Sequence, residues 1–166
     1  MAESQLLEQA FAYKRWSEGR LFTAIEAVDP GASSSLAFIC QQLNHLTIVQ
    51  DLFQARLEGD PVPHANTNSD LVPDYNNLKS RLLESNIWYS ELIAGLDSNS
   101  ASQNSSFTFV DNLKGSMTTT EILFHIIHHS AYHRGSIAHA LDLAGTAHPA
   151  DSFTIFLHQT EPQRRQ

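Results

Sequence analysis

Apolar side chains recur at the three- and four-residue spacing of amphipathic α-helices in four long segments of the chain. The segments run from about Glu3 to Val28, Ser34 to Glu58, Leu71 to Leu96 and Thr118 to Ala144. Loops rich in Pro, Gly, Ser and Asn separate them, and each segment would be roughly 35 to 40 Å long as a helix. The pattern therefore predicts an all-α fold, a four-helix bundle formed by a single domain over residues 1–166.

Residues typical of helix ends support these boundaries. Gly59 and Gly145 follow the second and fourth segments, where a residue in the left-handed conformation often closes a helix. The serines from Ser33 to Ser35 offer side-chain caps to the second helix. Thr118 followed by Glu121 has the spacing of a capping box, so the fourth helix is predicted to begin there.

The segments between and after the helices are less regular. Residues 60–70 are predicted as a loop, and residues 97–117 as an irregular connection in which Phe107–Val110 forms a short strand or an extended piece. After Pro149, the segment Ser152–His158 forms a short helix or packs extended against the bundle. The buried face predicted for the third helix consists of Leu71, Tyr75, Leu78, Leu82, Tyr89 and Leu92.

Composition narrows the classes of function. Lys and Arg number 10 and Asp and Glu 18, which gives a formal net charge of −8. Nucleic acid is therefore not expected as the main partner, because phosphate contacts need clustered basic side chains. A single cysteine, Cys40, excludes a disulfide framework within the chain. No apolar stretch reaches the length of a membrane span or forms the core of a signal peptide, so the expected location is the cytoplasm.

The chain holds 9 histidines, and four of them lie within residues 125–133. His129 and His133 are four residues apart, so on a helix both imidazoles can reach one point beside the same face. Zinc and similar metals are often bound by such a pair. His125 lies one turn earlier in the same row, whereas His128 should face elsewhere.

This row of histidines occupies a stripe that is otherwise apolar. A buried imidazole without a partner costs on the order of 1–3 kcal/mol, and a metal would satisfy both rings at once. His45 shares a face of the second helix with Phe38, Val49 and Leu52, so it is the candidate for a third ligand. A solvated row of histidines, or histidines hydrogen-bonded within the core, are the alternatives.

Other metal sites fit the spacing less well. A zinc protease motif needs Glu directly after its first histidine, but Ser130 stands there. A di-iron bundle needs Glu-x-x-His pairs, and Glu121 is one residue too far from His125. Cys40 is interpreted as a core residue and not as a ligand. Three histidines would leave a coordination position open, as in catalytic sites.

The segment His125–Gly135, with sequence HIIHHSAYHRG, resembles the signature of the DinB/YfiT-like superfamily of metalloenzymes. The likeness extends over the whole chain, through the Tyr-x-x-Trp of Tyr13–Trp16, through His45 on the second helix, and through the segment after Pro149. It implies an up-down-down-up four-helix bundle that is commonly a homodimer.

The resemblance also assigns roles to individual residues. His45, His129 and His133 would bind a divalent metal, with nickel or zinc as the usual occupant. His125 and Arg134 would support the site from outside without binding the metal, Arg134 through a buried or interfacial ion pair. Gly135 would permit close helix approach.

Two departures from the family pattern, Glu18 and Ser136, are expected to line the cleft and alter the substrate. Superfamily members of known activity include thiol-dependent S-transferases and a mycothiol-dependent isomerase. The resemblance therefore implies a transferase in which the metal activates a low-molecular-weight thiol for attack on an electrophilic small molecule. A metal-dependent hydrolase and a non-catalytic, metal-stabilised bundle are the alternatives, and no catalytic residue beyond the ligands is predicted.

Overall fold

The computed structural model describes residues 3–109 and 111–165, and most of them are helical. The prediction of a helical fold is confirmed, with the addition of a short β-hairpin. None of the helices in this part of the chain combines the length and the apolar character needed to cross a bilayer. In chain order the elements are α1 (Glu3–Glu26), α2 (Ser33–Glu58), α3 (Tyr75–Ala94), α4 (Ser98–Ala101), β1 (Asn104–Thr108), β2 (Lys114–Thr118), α5 (Thr119–Leu143), α6 (Phe153–Thr160) and a 3-10 helix (Pro162–Arg164).

The ends of α2 and α5 test the predicted caps. Gly59 closes α2 with a left-handed φ of 75°, as predicted. The capping box of Thr118 and Glu121 is present at the start of α5. The predicted serine caps of α2 are wrong, because Ala32 occupies the N-cap position and Ser33 is already helical. A tight turn, in which the Asp29 carboxylate accepts a hydrogen bond from the Gly31 amide at 2.6 Å, brings the chain into the helix early.

Helix α3 begins four residues later than the apolar spacing predicts. Asp74 is its N-cap and accepts a hydrogen bond from the Asn77 amide at 3.0 Å, while Pro73 disfavours helix at the residue before it. Leu71 therefore lies in the preceding loop with 88% of its surface exposed, and its assignment to the buried face is wrong.

The connection between α4 and α5 is more regular than predicted. Strand β1 pairs antiparallel with β2, with Asn104 opposite Thr118. Phe107 and Thr108 belong to β1, which confirms the extended interpretation for those two residues, whereas Val110 lies outside the described residues. The segment Lys114–Thr118 does not alternate strongly between apolar and polar residues, so its sequence does not predict a strand. It forms a strand because it pairs with β1.

Two apolar clusters hold the four long helices together. One contains Leu21, Ile25, Ile39, Leu43, Leu78, Leu82, Ile137 and Leu141, and the other contains Leu7, Phe11, Val49, Phe53, Tyr89, Ile122, Leu123 and Ile126. The Tyr89 hydroxyl donates to the Gln50 carbonyl oxygen at 2.8 Å, so even this buried phenol is satisfied. The two clusters fix α2 and α5 against each other, which positions the histidines.

A buried polar network joins α1, α3 and α5. The Lys14 ammonium lies 2.8 Å from the Glu18 carboxylate, which also accepts hydrogen bonds from Asn86 and Ser130, each at 2.6 Å. Burial alone raises the pKa of Glu18, but the Lys14 charge and these hydrogen bonds outweigh it and lower the pKa. Glu18 is 3% exposed, so the expectation that it lines the cleft is wrong.

Arg134 connects this network to the C-terminal segment. Its Nε donates to Asp151 at 2.6 Å, and a second guanidinium nitrogen donates to the Ser130 hydroxyl at 3.0 Å. Asp151 also accepts hydrogen bonds from Ser17 and Tyr13 on α1. At Gly135, a Cβ atom would meet nothing within 4 Å among the described residues, so the expected close helix approach there is wrong.

Replacing Glu18 with Gln should destabilise the protein by about 3 kcal/mol, because it leaves a buried lysine without its counter-charge. Glu8→Gln on the exposed face of the same helix is the matched control and should change the free energy of unfolding by less than about 0.5 kcal/mol. Urea denaturation measures both. Equal stability of the two variants would show that the ion pair contributes nothing to the fold.

Candidate metal centre

Three imidazoles meet where α2 packs against α5. His45 extends from α2, and His129 and His133 extend from successive turns of α5. The Nε2 atom of His129 lies 3.0 Å from Nε2 of His45 and 3.1 Å from Nε2 of His133. One nitrogen from each ring lies within 4.8 Å of the other two. The structure thus brings together the three histidines that the sequence nominated as ligands.

Hydrogen bonds from outside orient two of these rings. His45 Nδ1 lies 2.8 Å from the Thr67 carbonyl oxygen, and His133 Nδ1 lies 2.6 Å from the Gln42 side-chain oxygen. An amide oxygen can only accept, so each Nδ1 carries the proton and donates. Because a neutral imidazole carries one N–H, both Nε2 atoms then direct lone pairs toward His129.

Two of the three rings, His129 and His133, are held in their uncharged form. Burial, followed by the neighbouring histidines, lowers the pKa of His129 to about 3. Burial and His45 lower the pKa of His133 to about 4. At neutral pH these rings are therefore neutral, which is the form that binds metals.

This donor set fits a divalent cation. Nitrogens bound to tetrahedral zinc at about 2.0–2.1 Å are roughly 3.3 Å apart, close to the observed separations between Nε2 atoms. The Nε2 lone pairs of His45 and His133 both face Nε2 of His129, which has at most one proton to donate to them. A cation bound to all three Nε2 atoms would satisfy every lone pair. Imidazole nitrogens suit zinc and nickel alike, and three protein ligands leave a position for a substrate.

The residues expected to support the ligands lie in two different places. The His125 ring stacks on His129, with centroids 5.2 Å apart and planes 20° from parallel, and it also packs against Phe53, with centroids 5.1 Å apart. Burial lowers the pKa of His125. Arg134 instead faces α1, where its guanidinium lies 5.6 Å from the centre of the Tyr13 ring, and it donates to Ser130 and Asp151. His128 is exposed beside Phe124, away from the cluster.

Gln42 and Thr67 were missed by the sequence analysis. Gln42 lies three residues before His45 on the same face of α2, so helical spacing alone could have placed it near the site. Thr67 contributes a backbone carbonyl oxygen from the loop between α2 and α3, and no pattern of side chains in the sequence predicts that contact. The loop is held on α2 by hydrogen bonds from Asn44 to Ser69 and between His64 and Asp51, each 2.9 Å long.

The sequence model of the DinB family matches residues 1–165. The chain belongs to the DinB family. This membership confirms the resemblance seen in the segment His125–Gly135, and the match spans both of the helices that carry the three histidines. Comparison with curated proteins and with solved structures gives no match.

The metal-free DinB-family protein should lose stability as the pH falls from about 6.5 to about 4. In this range an unfolded histidine takes up a proton, whereas folded His129, with a pKa of about 3, does not. The unfolded state therefore binds more protons, and the free energy of unfolding rises with pH through this window.

Urea denaturation in a chelator, at about pH 7.5 and about pH 5, measures the effect. His129→Gln should reduce the difference between the two pH values, and His139→Gln, at an exposed position of α5, should leave it unchanged. The same pH dependence in His129→Gln and in the parent protein would contradict the assignment.

Proposed function

We propose that this DinB-family protein is a divalent-metal-dependent transferase that activates a low-molecular-weight thiol for attack on an electrophilic small molecule. The observation that carries the proposal is the convergence of three imidazoles, two of them with lone pairs fixed inward by Thr67 and Gln42. Three neutral ligands do not offset the positive charge of the cation, and they leave one coordination position open for a substrate.

In this proposal His45, His129 and His133 hold nickel or zinc. A divalent cation at this position lowers the pKa of a bound thiol and so supplies a nucleophile at neutral pH. Thr67 and Gln42 keep two of the ligand rings in the binding tautomer. His125 covers one face of His129 and limits the approach of water from that side.

The make-up of the cluster supports a thiol over water as the activated group. Hydrolysis commonly uses a general base beside the metal, as the Glu of the zinc protease motif does. His125 is the histidine that stacks on the cluster, and burial lowers its pKa, which makes it a weaker base. Within the described ranges, no Asp or Glu side chain joins the group of three histidines. A thiol ionises on a divalent cation without such a base, since its pKa is already near 8.5 in solution.

We also propose the up-down-down-up arrangement for the four long helices, in a homodimer located in the cytoplasm. Contacts along neighbouring helices support the arrangement, with α1 antiparallel to α3, α2 parallel to α3 and α2 antiparallel to α5. The contacts are Arg15–Ser90 and Glu26–Tyr75 between α1 and α3. They are Asp51–Arg81 and Glu58–Trp88 between α2 and α3, and Gln42–His133 and Phe53–His125 between α2 and α5.

Metal analysis of the purified protein tests the ligand set. The parent protein should carry a single equivalent of nickel or zinc, and alanine at His45, His129 or His133 should weaken binding by at least about 100-fold. His128→Ala, exposed and adjacent to His129, is the matched control and should retain the metal. Equal metal content in all of these proteins would refute the site.

The activity is tested on the cobalt-substituted protein. A low-molecular-weight thiol should shift the visible spectrum toward a sulfur-ligated form in the parent protein and in His128→Ala. If added thiol leaves the visible spectrum unchanged, and removal of the metal only lowers the unfolding temperature, the non-catalytic bundle would be favoured. Turnover of an ester or amide without any thiol would favour the hydrolase.

A further inference from the structure

The groups that orient the ligand histidines carry no charge. His45 donates to a backbone carbonyl at Thr67, and His133 donates to the side-chain amide of Gln42. Carboxylates often occupy this position in metal sites, where they make the histidine more basic and offset part of the charge of the metal. In the part of the chain that the structure describes, the three clustered rings hydrogen-bond only to each other, to Thr67 and to Gln42.

We propose that Gln42 is a positioning residue, and that its neutral amide makes the centre selective for an anionic donor atom on the substrate. This inference rests on the proposed metal-dependent function. With three neutral ligands and two neutral acceptors, a divalent cation keeps its full charge. An anionic fourth ligand then gains more binding energy than a neutral one, because the half-buried site screens charge less than water does.

The geometry gives Gln42 this role. Its side-chain oxygen lies 2.6 Å from His133 Nδ1, so the amide contacts the ligand directly across the interface between α2 and α5. It lies on α2 next to Leu43, which is 2% exposed, and one turn before Leu46, also 2% exposed. These buried neighbours fix the helix beneath it. Glu has the same length and shape, so it can accept the same hydrogen bond while adding one negative charge.

The test uses the cobalt-substituted full-length protein with two probe ligands, the anion azide and the neutral molecule imidazole. Gln42→Glu should weaken azide binding by about tenfold, because a negative charge now lies one imidazole away from the cation. Imidazole binding should change by less than about twofold, because a neutral ligand does not feel that charge to first order. Visible absorption titrations give both dissociation constants.

Two further variants separate charge from position. Gln41→Glu places the same charge at an exposed neighbouring position on α2 and should leave azide binding within about twofold of the parent value. Gln42→Met removes the acceptor without adding charge, so it should weaken cobalt binding by about 10- to 100-fold in competition with a chelator. Its azide dissociation constant, measured at saturating cobalt, should stay near that of the parent protein.

Equal effects of Gln42→Glu on azide and imidazole, or no effect on either, would overturn the inference even if the parent protein binds cobalt normally. Cobalt affinity unchanged in Gln42→Met would overturn the positioning role. A parent protein that binds no cobalt at all would instead refute the proposed function, on which the inference depends.

Discussion

The packing of α2 against α5 is the constraint on which the candidate site depends. It brings Nε2 of His129 to about 3 Å from Nε2 of both His45 and His133, and such a cluster is unfavourable unless a proton or a cation lies between the lone pairs. The surrounding structure holds the rings in place. Apolar side chains from all four long helices flank the cluster on both sides along α5, and Thr67 and Gln42 fix the outer nitrogens.

The rotation of α5 about its own axis is set by contacts on an adjacent face of that helix. Ser130 and Arg134 each follow a ligand histidine by one residue, so they face α1 when His129 and His133 face α2. Ser130 donates to Glu18, and Arg134 reaches Asp151 in the C-terminal segment. The polar network and the candidate metal centre therefore use adjacent faces of α5, and the network keeps His129 and His133 directed at His45.

Local sequence signals located most of the helices and the histidines that the structure brings together. Helical spacing found the pair His129 and His133, and the caps at Gly59 and Thr118 were found because each depends on a few neighbouring residues. The start of α3 was placed too early because the apolar Leu71 fits the helical period, although Pro73 and Asp74 determine where the helix begins.

Features that depend on tertiary contacts were not found. The sequence alone suggested that Glu18 lines a cleft, and only its contacts with Lys14, Asn86 and Ser130 show that it is buried. The strand Lys114–Thr118 forms because it pairs with β1. In the site, the Thr67 carbonyl has no sequence signal, because any residue supplies the same atom. The family signature pointed to the same three histidines that meet in the structure, but only the structure shows that Nε2 of His45 and of His133 faces inward.

The most direct test of the metal centre is a crystal structure of the zinc-loaded protein, with anomalous scattering recorded at the zinc absorption edge. We expect one strong peak about 2.0–2.1 Å from Nε2 of His45, His129 and His133, with a non-protein ligand completing the coordination. Zinc bound through other residues, or three imidazoles that remain hydrogen-bonded to one another beside an excess of zinc, would contradict it.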